Sequence, residues 1–199
     1  MGFLANGVSR VPAEQRLNVY ALVIYVPDPL GRFLDDLRRT LVPHCNPHAH
    51  VSVLPPRPIA GDWQNAREQV RQITSARAPF DIGLADIGIF PVTNVIYLEL
   101  GKGAREMHAL HSAMNSDALH FDEPFPYHPH ITLVQDVPAD QVKELTTRAR
   151  EMWASFDGPR TFRAERAAFV QNTLGACWVD LAEYELGAKH KDLVEVRKP

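Results

Sequence analysis

One nine-residue pattern occurs twice in this chain of 199 residues, and it restricts the possible fold more than any other feature. The two segments are HAHVSVLPP at residues 48–56 and HPHITLVQD at residues 128–136. In each, two histidines one residue apart are followed by apolar residues that alternate with a hydroxyl residue. This alternation predicts a β-strand with one buried face. A fold that suits the chain must therefore place two very similar strands in equivalent surroundings.

The elements around both segments also follow the same order. An apolar segment rich in β-branched and aromatic residues precedes each one. A segment whose apolar residues have the spacing of a helix follows each one. The predicted first half has strands at 18–26, 48–54 and 80–90 with helices at about 29–41 and 63–73. The predicted second half has strands at 94–100, 128–136 and 161–171 with helices at about 104–114 and 138–152.

This order indicates an internal duplication of β-α-β-α-β units. The repeats are predicted at 18–90 and 94–171, with a closing strand at 176–184, in a single domain that spans 1–199. We expect the lobes to be pseudo-symmetric, so that the two histidine strands face each other. Locally, Asp28 and Asp62 are predicted to cap the first two helices, and PPRP at 55–58 is predicted to end the first histidine strand.

Composition excludes several classes of protein. Apolar residues make up 45% of the chain and charged residues 23%, which is typical of a globular domain. A net charge of −3 argues against a broad basic surface for extended duplex nucleic acid. Two cysteines are too few for a disulfide framework, and no apolar run is long enough for a membrane span. We therefore expect a cytoplasmic protein without a membrane partner.

The histidine segments carry groups that suit phosphodiester chemistry. Alternate side chains of a strand share a face, so an imidazole and a hydroxyl should lie about 7 Å apart along each strand. An imidazole titrates near neutrality, so one ring can accept a proton while the other donates one. The hydroxyls can donate hydrogen bonds to phosphate oxygens. The residues predicted to share these faces are His48, His50, Ser52, His128, His130 and Thr132.

HVSV at 50–53 and HITL at 130–133 resemble the paired signatures of the 2H phosphoesterase superfamily, within its 2′-5′ RNA ligase-like and cyclic phosphodiesterase branch. YHP at 127–129 suits the second signature. The resemblance implies a bilobal α+β fold, with antiparallel-type sheets that flank a central cleft and helices outside. It implies action on 2′,3′-cyclic phosphates or 2′-5′ linkages of nucleotides and RNA ends, without a metal or cofactor.

Carried over by position, the resemblance makes His50 and His130 the acid–base pair and Ser52 and Thr132 the phosphate-binding residues. Other residues have two open interpretations. His48 and His128 either line the outer cleft or only begin the strands. Arg57 either binds phosphate or is a solvated loop residue, and several aromatic residues either stack on a base or pack in the core. These aromatic residues are Tyr127, Phe90, Tyr97 and Phe125.

Two rival functions remain open from the sequence. The cleft could bind a phosphate or an RNA end without cleaving it. Alternatively, His48, His50, His128 and His130 could ligate a metal in a metal-dependent enzyme. The leading hypothesis is a phosphodiesterase whose partner is a small nucleotide or a short RNA end. The sequence leaves open the substrate, any ligation, the oligomeric state, and which histidine is the base.

Overall fold

The structure is a computed structural model that describes residues 12, 15–45, 47–175 and 177–188. It contains eight strands and four α-helices within these ranges, together with a short 3-10 helix at Asp117–Leu119. The strands are β1 (Arg16–Tyr25), β2 (His50–Arg57), β3 (Phe80–Ile89), β4 (Ile96–Leu100), β5 (His130–Val134), β6 (Thr161–Ala164), β7 (Arg166–Thr173) and β8 (Trp178–Glu185). The helices are α1 (Leu30–Leu41), α2 (Trp63–Ser75), α3 (Ala104–Met114) and α4 (Val142–Ala154).

The strands form two antiparallel sheets of four strands each. The first sheet has the order β2-β1-β7-β8 and the second has the order β5-β4-β3-β6. Helices α2 and α3 contact the first sheet, and α1 and α4 contact the second. The predicted α+β class, with antiparallel sheets and helices outside, is confirmed.

The two sheets exchange strands between the predicted repeats. Strand β3 pairs with β4 and β6, and β1 pairs with β7. The strand predicted at 161–171 is in fact two strands, β6 and β7, which separate at Glu165 and join different sheets. Each sheet therefore contains strands from both predicted repeats. The duplication itself stays a prediction.

The first histidine strand continues where the sequence predicted its end. β2 runs through Pro55 and Pro56 to Arg57, so the prediction that PPRP stops it was wrong. β2 is an edge strand, and proline is tolerated there because an edge strand does not need every amide hydrogen for pairing. The strand also begins at His50, so His48 precedes it.

The two predicted helix caps have different outcomes. Asp62 caps α2, and its carboxylate accepts a hydrogen bond from the amide of Gln64 at 2.9 Å. The cap position of α1 is Pro29, and the prediction of Asp28 at that position was wrong. Asp28 still accepts the amide of Arg32 at 3.1 Å, so it satisfies a free donor of the first turn.

The larger of two hydrophobic clusters among the described residues joins the two sheets and their helices. Val51 and Val53 of β2 are buried on the face opposite the histidine, and so are Ile131 and Leu133 of β5. This confirms the predicted alternation of the two histidine strands. Within the described ranges, no helix is long and apolar enough to cross a bilayer.

Candidate functional site

The two histidine strands meet in the middle of the molecule. β2 and β5 are each the outermost strand of a sheet, and they lie against each other. His50 begins β2 and His130 begins β5. The fold thus brings together the two segments that the sequence predicted to face each other.

Both histidine rings are oriented by the same main-chain contact. Nδ1 of His50 lies 2.6 Å from the carbonyl oxygen of His48, and Nδ1 of His130 lies 2.7 Å from that of His128. Because a carbonyl oxygen only accepts, Nδ1 carries the hydrogen in both rings. Nε2 of each ring makes no hydrogen bond to any residue that the structure describes. In the neutral ring this nitrogen carries the lone pair, so it is the atom that can accept or deliver a proton.

Ser52 and Thr132 occupy matching positions two residues after these histidines. Ser52 lies opposite Val23 on β1, and Thr132 lies opposite Tyr97 on β4. Both side chains are half-buried, and neither hydroxyl hydrogen-bonds to the part of the chain described here. Each strand thus presents an imidazole and an unpaired hydroxyl on one face.

The two rings influence each other electrostatically. Burial lowers the pKa of His50, and positive charge on Arg38, His48 and His130 lowers it further, against the opposing effect of the His48 carbonyl. Burial likewise lowers the pKa of His130, the hydrogen bond to the His128 carbonyl opposes this effect, and positive charge on His128 lowers the pKa further. A proton on one ring therefore disfavours a proton on the other, as a pair with one charged and one neutral member requires.

His48 and His128 lie beside the pair but in different surroundings. His48 is exposed and stacks on Tyr25 with ring centroids 3.8 Å apart. His128 is half-buried, and its ring meets the edge of Phe90 and Tyr97 at 5.3 Å. Among the described residues, no group of three or more His, Cys, Asp or Glu side chains is placed to hold a metal ion. The four-histidine ligand set of the rival hypothesis therefore does not assemble.

Arg57 is buried, so its interpretation as a solvated loop residue was wrong, and its interpretation as a phosphate ligand stays a prediction. The residue is only 2% exposed. Its Nη1 donates to Oδ1 of Asn115 at 2.7 Å and to the carbonyl of Leu119 at 3.2 Å, and Nη2 pairs with Glu123. It points inward because these carbonyl and carboxylate oxygens of the 115–123 segment surround its guanidinium group.

Tyr127 connects the segment before β5 to the backbone of β2. Its hydroxyl donates to the carbonyl of Ser52 at 2.8 Å, and burial raises its pKa. Its ring stacks face to face on His111 with centroids 3.8 Å apart. Nδ1 of His111 in turn lies 2.8 Å from the carbonyl of Val53. The sequence offered no signal for His111, because its role depends on contacts between distant segments.

An open cavity of about 530 Å³ adjoins His130. We call it the aromatic cavity, because phenylalanine, tyrosine and proline form most of its wall and no described lysine or arginine lines it. Phe125 at its mouth is 55% exposed. The aromatic cavity is lined by Pro55, Pro56, Phe90, Pro91, Val92, Thr93, Phe121, Glu123, Pro124, Phe125, Pro126, Tyr127, His128 and His130.

Two bacterial proteins predicted to be phosphoesterases are similar to this chain in sequence. The one from Oceanobacillus iheyensis is 29% identical over 82 residues, which cover 41% of this chain and 48% of the relative. The one from Geobacillus kaustophilus is 22% identical over 140 residues, which cover 66% of this chain and 77% of the relative. The chain thus spans about half the length of the first relative.

Solved structures share the fold at low sequence identity. TT0787 of Thermus thermophilus matches with a TM-score of 0.62 and 16% identity, over 86% of this chain and 100% of that one. E. coli LigT in its apo form matches with a TM-score of 0.57 and 17% identity, over 86% and 97%.

The sequence profile of the 2′-5′ RNA ligase superfamily matches residues 26–176, which include both histidine strands and the connection between them. The family resemblance inferred from HVSV and HITL is confirmed by this match. The chain belongs to the 2′-5′ RNA ligase superfamily.

Proposed function

We propose that the protein is a metal-independent phosphodiesterase that acts on 2′,3′-cyclic phosphates or 2′-5′ phosphodiesters of nucleotides or RNA ends. The observation that carries the proposal is the matched pair of histidines on β2 and β5. Each has Nδ1 fixed by a carbonyl and Nε2 without a hydrogen-bond partner among the described residues. Such rings can transfer protons on opposite sides of one phosphorus atom.

Hydrolysis of a cyclic phosphate needs two proton transfers. One histidine, neutral at Nε2, accepts a proton from water as the water oxygen forms a bond to phosphorus. The other histidine, protonated at Nε2, donates its proton to the ribose oxygen as the bond from that oxygen to phosphorus breaks. The products are a nucleoside monophosphate and the two histidines with their protonation states exchanged. The reverse reaction uses the same groups with opposite roles.

The hydroxyls of Ser52 and Thr132 support the same step. Negative charge on the non-bridging phosphate oxygens must be stabilised as the fifth bond to phosphorus forms. Two hydroxyls without other partners among the described residues can each donate a hydrogen bond to one of these oxygens. Their positions, each two residues after a histidine, place them beside the proton-transfer groups on both strands.

The ligands of a structural neighbour support a small nucleotide as the substrate. Crystal structures of E. coli LigT contain 3′-AMP, NADP+ or phosphate, and their TM-scores to this chain are 0.57, 0.57 and 0.55. A 3′-nucleotide is one product of opening a 2′,3′-cyclic phosphate. We therefore infer that nucleotides of this size fit the present site.

The test is turnover of 2′,3′-cyclic nucleotides by the wild type, by His50→Ala and by His130→Ala. Each substitution is expected to reduce kcat by about 10²- to 10⁴-fold, because each removes one proton-transfer group. The matched control is His120→Ala, since the His120 side chain is 57% exposed and lies near Asp122, outside the pair. The control should keep wild-type activity, and all measurements should be unchanged by a chelator.

Three results would contradict this proposal. Full activity of either histidine variant would exclude the proposed acid–base role of the pair. Loss of activity in chelator would favour a metal-dependent enzyme. Binding of a 3′-nucleotide without any turnover of cyclic or 2′-5′ substrates would favour the non-catalytic binding module.

A further inference from the structure

One carboxylate stands out in the wall of the aromatic cavity. Glu123 is the only acidic residue among the described residues that line it, and its side chain is 12% exposed. The buried guanidinium of Arg57 pairs with Oε1 of Glu123, and Nε2 of His111 lies 3.6 Å from the same oxygen. The ion pair with Arg57 fixes the position of the carboxylate.

The other carboxylate oxygen is free to bind a ligand. Within the described residues, Oε2 of Glu123 accepts no hydrogen bond. It is also absent from the buried polar atoms that lack a partner, so it is not fully buried, and Glu123 is one of the residues that line the cavity. A carboxylate oxygen held in place in a mostly apolar wall favours a ligand that carries a hydrogen-bond donor.

The shape and charge of the aromatic cavity indicate which group it accepts. Phe90 and Phe125 offer aromatic surface for a planar ring, and the cavity adjoins His130. Because no described lysine or arginine lines its wall, the cavity offers no site for additional phosphates. These features suit a nucleobase and do not suit a polyphosphate or a continuing RNA backbone.

We propose that Glu123 selects substrates whose base carries an exocyclic amino group, by accepting a hydrogen bond from that group at Oε2. Cytosine and adenine present such a donor, whereas uracil and hypoxanthine present a carbonyl oxygen at the same ring position. A carbonyl oxygen facing the carboxylate would leave both acceptors unpaired. This inference rests on the proposed function, because it assumes that the phosphate of the same nucleotide lies at the histidine pair.

The test uses two pairs of ligands that differ only in this group. Binding of 3′-CMP against 3′-UMP, and of 3′-AMP against 3′-IMP, is measured by titration calorimetry. In parallel, kcat/KM is measured for the corresponding 2′,3′-cyclic phosphates. The wild type should prefer the amino-bearing member of each pair by about tenfold to a hundredfold, as for a hydrogen bond to a charged group. Binding is measured independently of turnover, so a failure of the proposed catalysis does not affect this part of the test.

Glu123→Gln should bring both preference ratios close to one, because an amide can donate as well as accept. The ratio compares two ligands on one protein sample, so partial unfolding of the variant cancels. Asp122→Asn is the matched control, since it removes the same charge from a neighbouring side chain that is 99% exposed. This control should keep the wild-type ratios.

Phe125→Ala gives a second signature. It should weaken binding of all four nucleotides by a similar factor, about tenfold, because stacking does not depend on the amino group. Equal affinities for both members of each pair in the wild type would overturn the inference, and so would a preference that survives in Glu123→Gln. Failure of all four nucleotides to bind would overturn it as well.

Discussion

His50 and His130 have equivalent backbone contacts but unequal electrostatic surroundings. Arg38 lowers the pKa of His50, whereas the pKa of His130 carries no contribution from a described arginine. The strand alternation in the sequence was enough to predict which side chains share a face. It could not predict the unequal pKa effects, because Arg38 approaches His50 through packing of α1 and not through sequence spacing.

The pH dependence of the proposed catalysis should reflect the lowered pKa values of the two histidines. A rate that needs one neutral and one protonated histidine follows a bell-shaped profile, whose limbs belong to the coupled pair. Residue type alone predicts a maximum near neutrality. Because burial lowers the pKa of both rings, we expect the maximum of kcat/KM on the acid side of about pH 6.5. A maximum above neutrality, or a flat profile from about pH 4 to 8, would contradict this.

Arg38→Met should shift that profile to higher pH. Removing the positive charge raises the pKa of His50 and leaves that of His130 nearly unchanged. Because the limbs belong to the coupled pair, this shift tests the effect of Arg38 on the pair and does not assign the base. Arg39→Met is the matched control, because Arg39 is an exposed neighbour on α1 that pairs with Asp36. Equal profiles for both variants would exclude the effect of Arg38.

At the scale of elements, β2 depends on the segment that precedes β5. Three side chains connect β2 to the second half of the chain. Arg57 on β2 reaches Asn115, and His111 and Tyr127 of the second half contact carbonyl groups of β2. The sequence did not predict this connection. The PPRP segment is typical of a turn, and an arginine in a turn is expected to be exposed to solvent. The edge position of β2 and the carbonyls of the 115–123 segment decide the outcome, and both arise from tertiary structure.

Arg57→Lys should destabilise the protein measurably. Lysine keeps the charge, but it cannot reach Asn115, Leu119 and Glu123 together with one ammonium group. Loss of these buried hydrogen bonds should lower the free energy of unfolding by about 2 kcal/mol, measured by urea denaturation. Arg32→Lys is the control, since Arg32 is exposed and pairs with Asp28, and its unfolding midpoint should not change. Equal midpoints for the two variants would contradict the structural role of Arg57.

The whole molecule cannot be divided at the boundary between the predicted repeats. The apolar patterns of β3 and β7 predict strands. They do not indicate which strand each one pairs with, so the exchange of strands between the two sheets was not predictable. A cut after Val92, in the exposed turn between β3 and β4, separates β1 from β7 and β3 from β4. Each sheet would then lose the pairing at its centre.

We therefore expect neither fragment, 1–92 or 93–199, to fold alone. The first would retain only the β1–β2 pair and an unpaired β3, and the second would retain two separate strand pairs and β6. Two-stranded pairs are marginal in water without further strands. Circular dichroism with urea should show no cooperative transition for either fragment, and mixing them should restore one transition together with the proposed phosphodiesterase activity. A cooperative transition in an isolated fragment would mean that the chain consists of two domains and that the exchanged strands are dispensable.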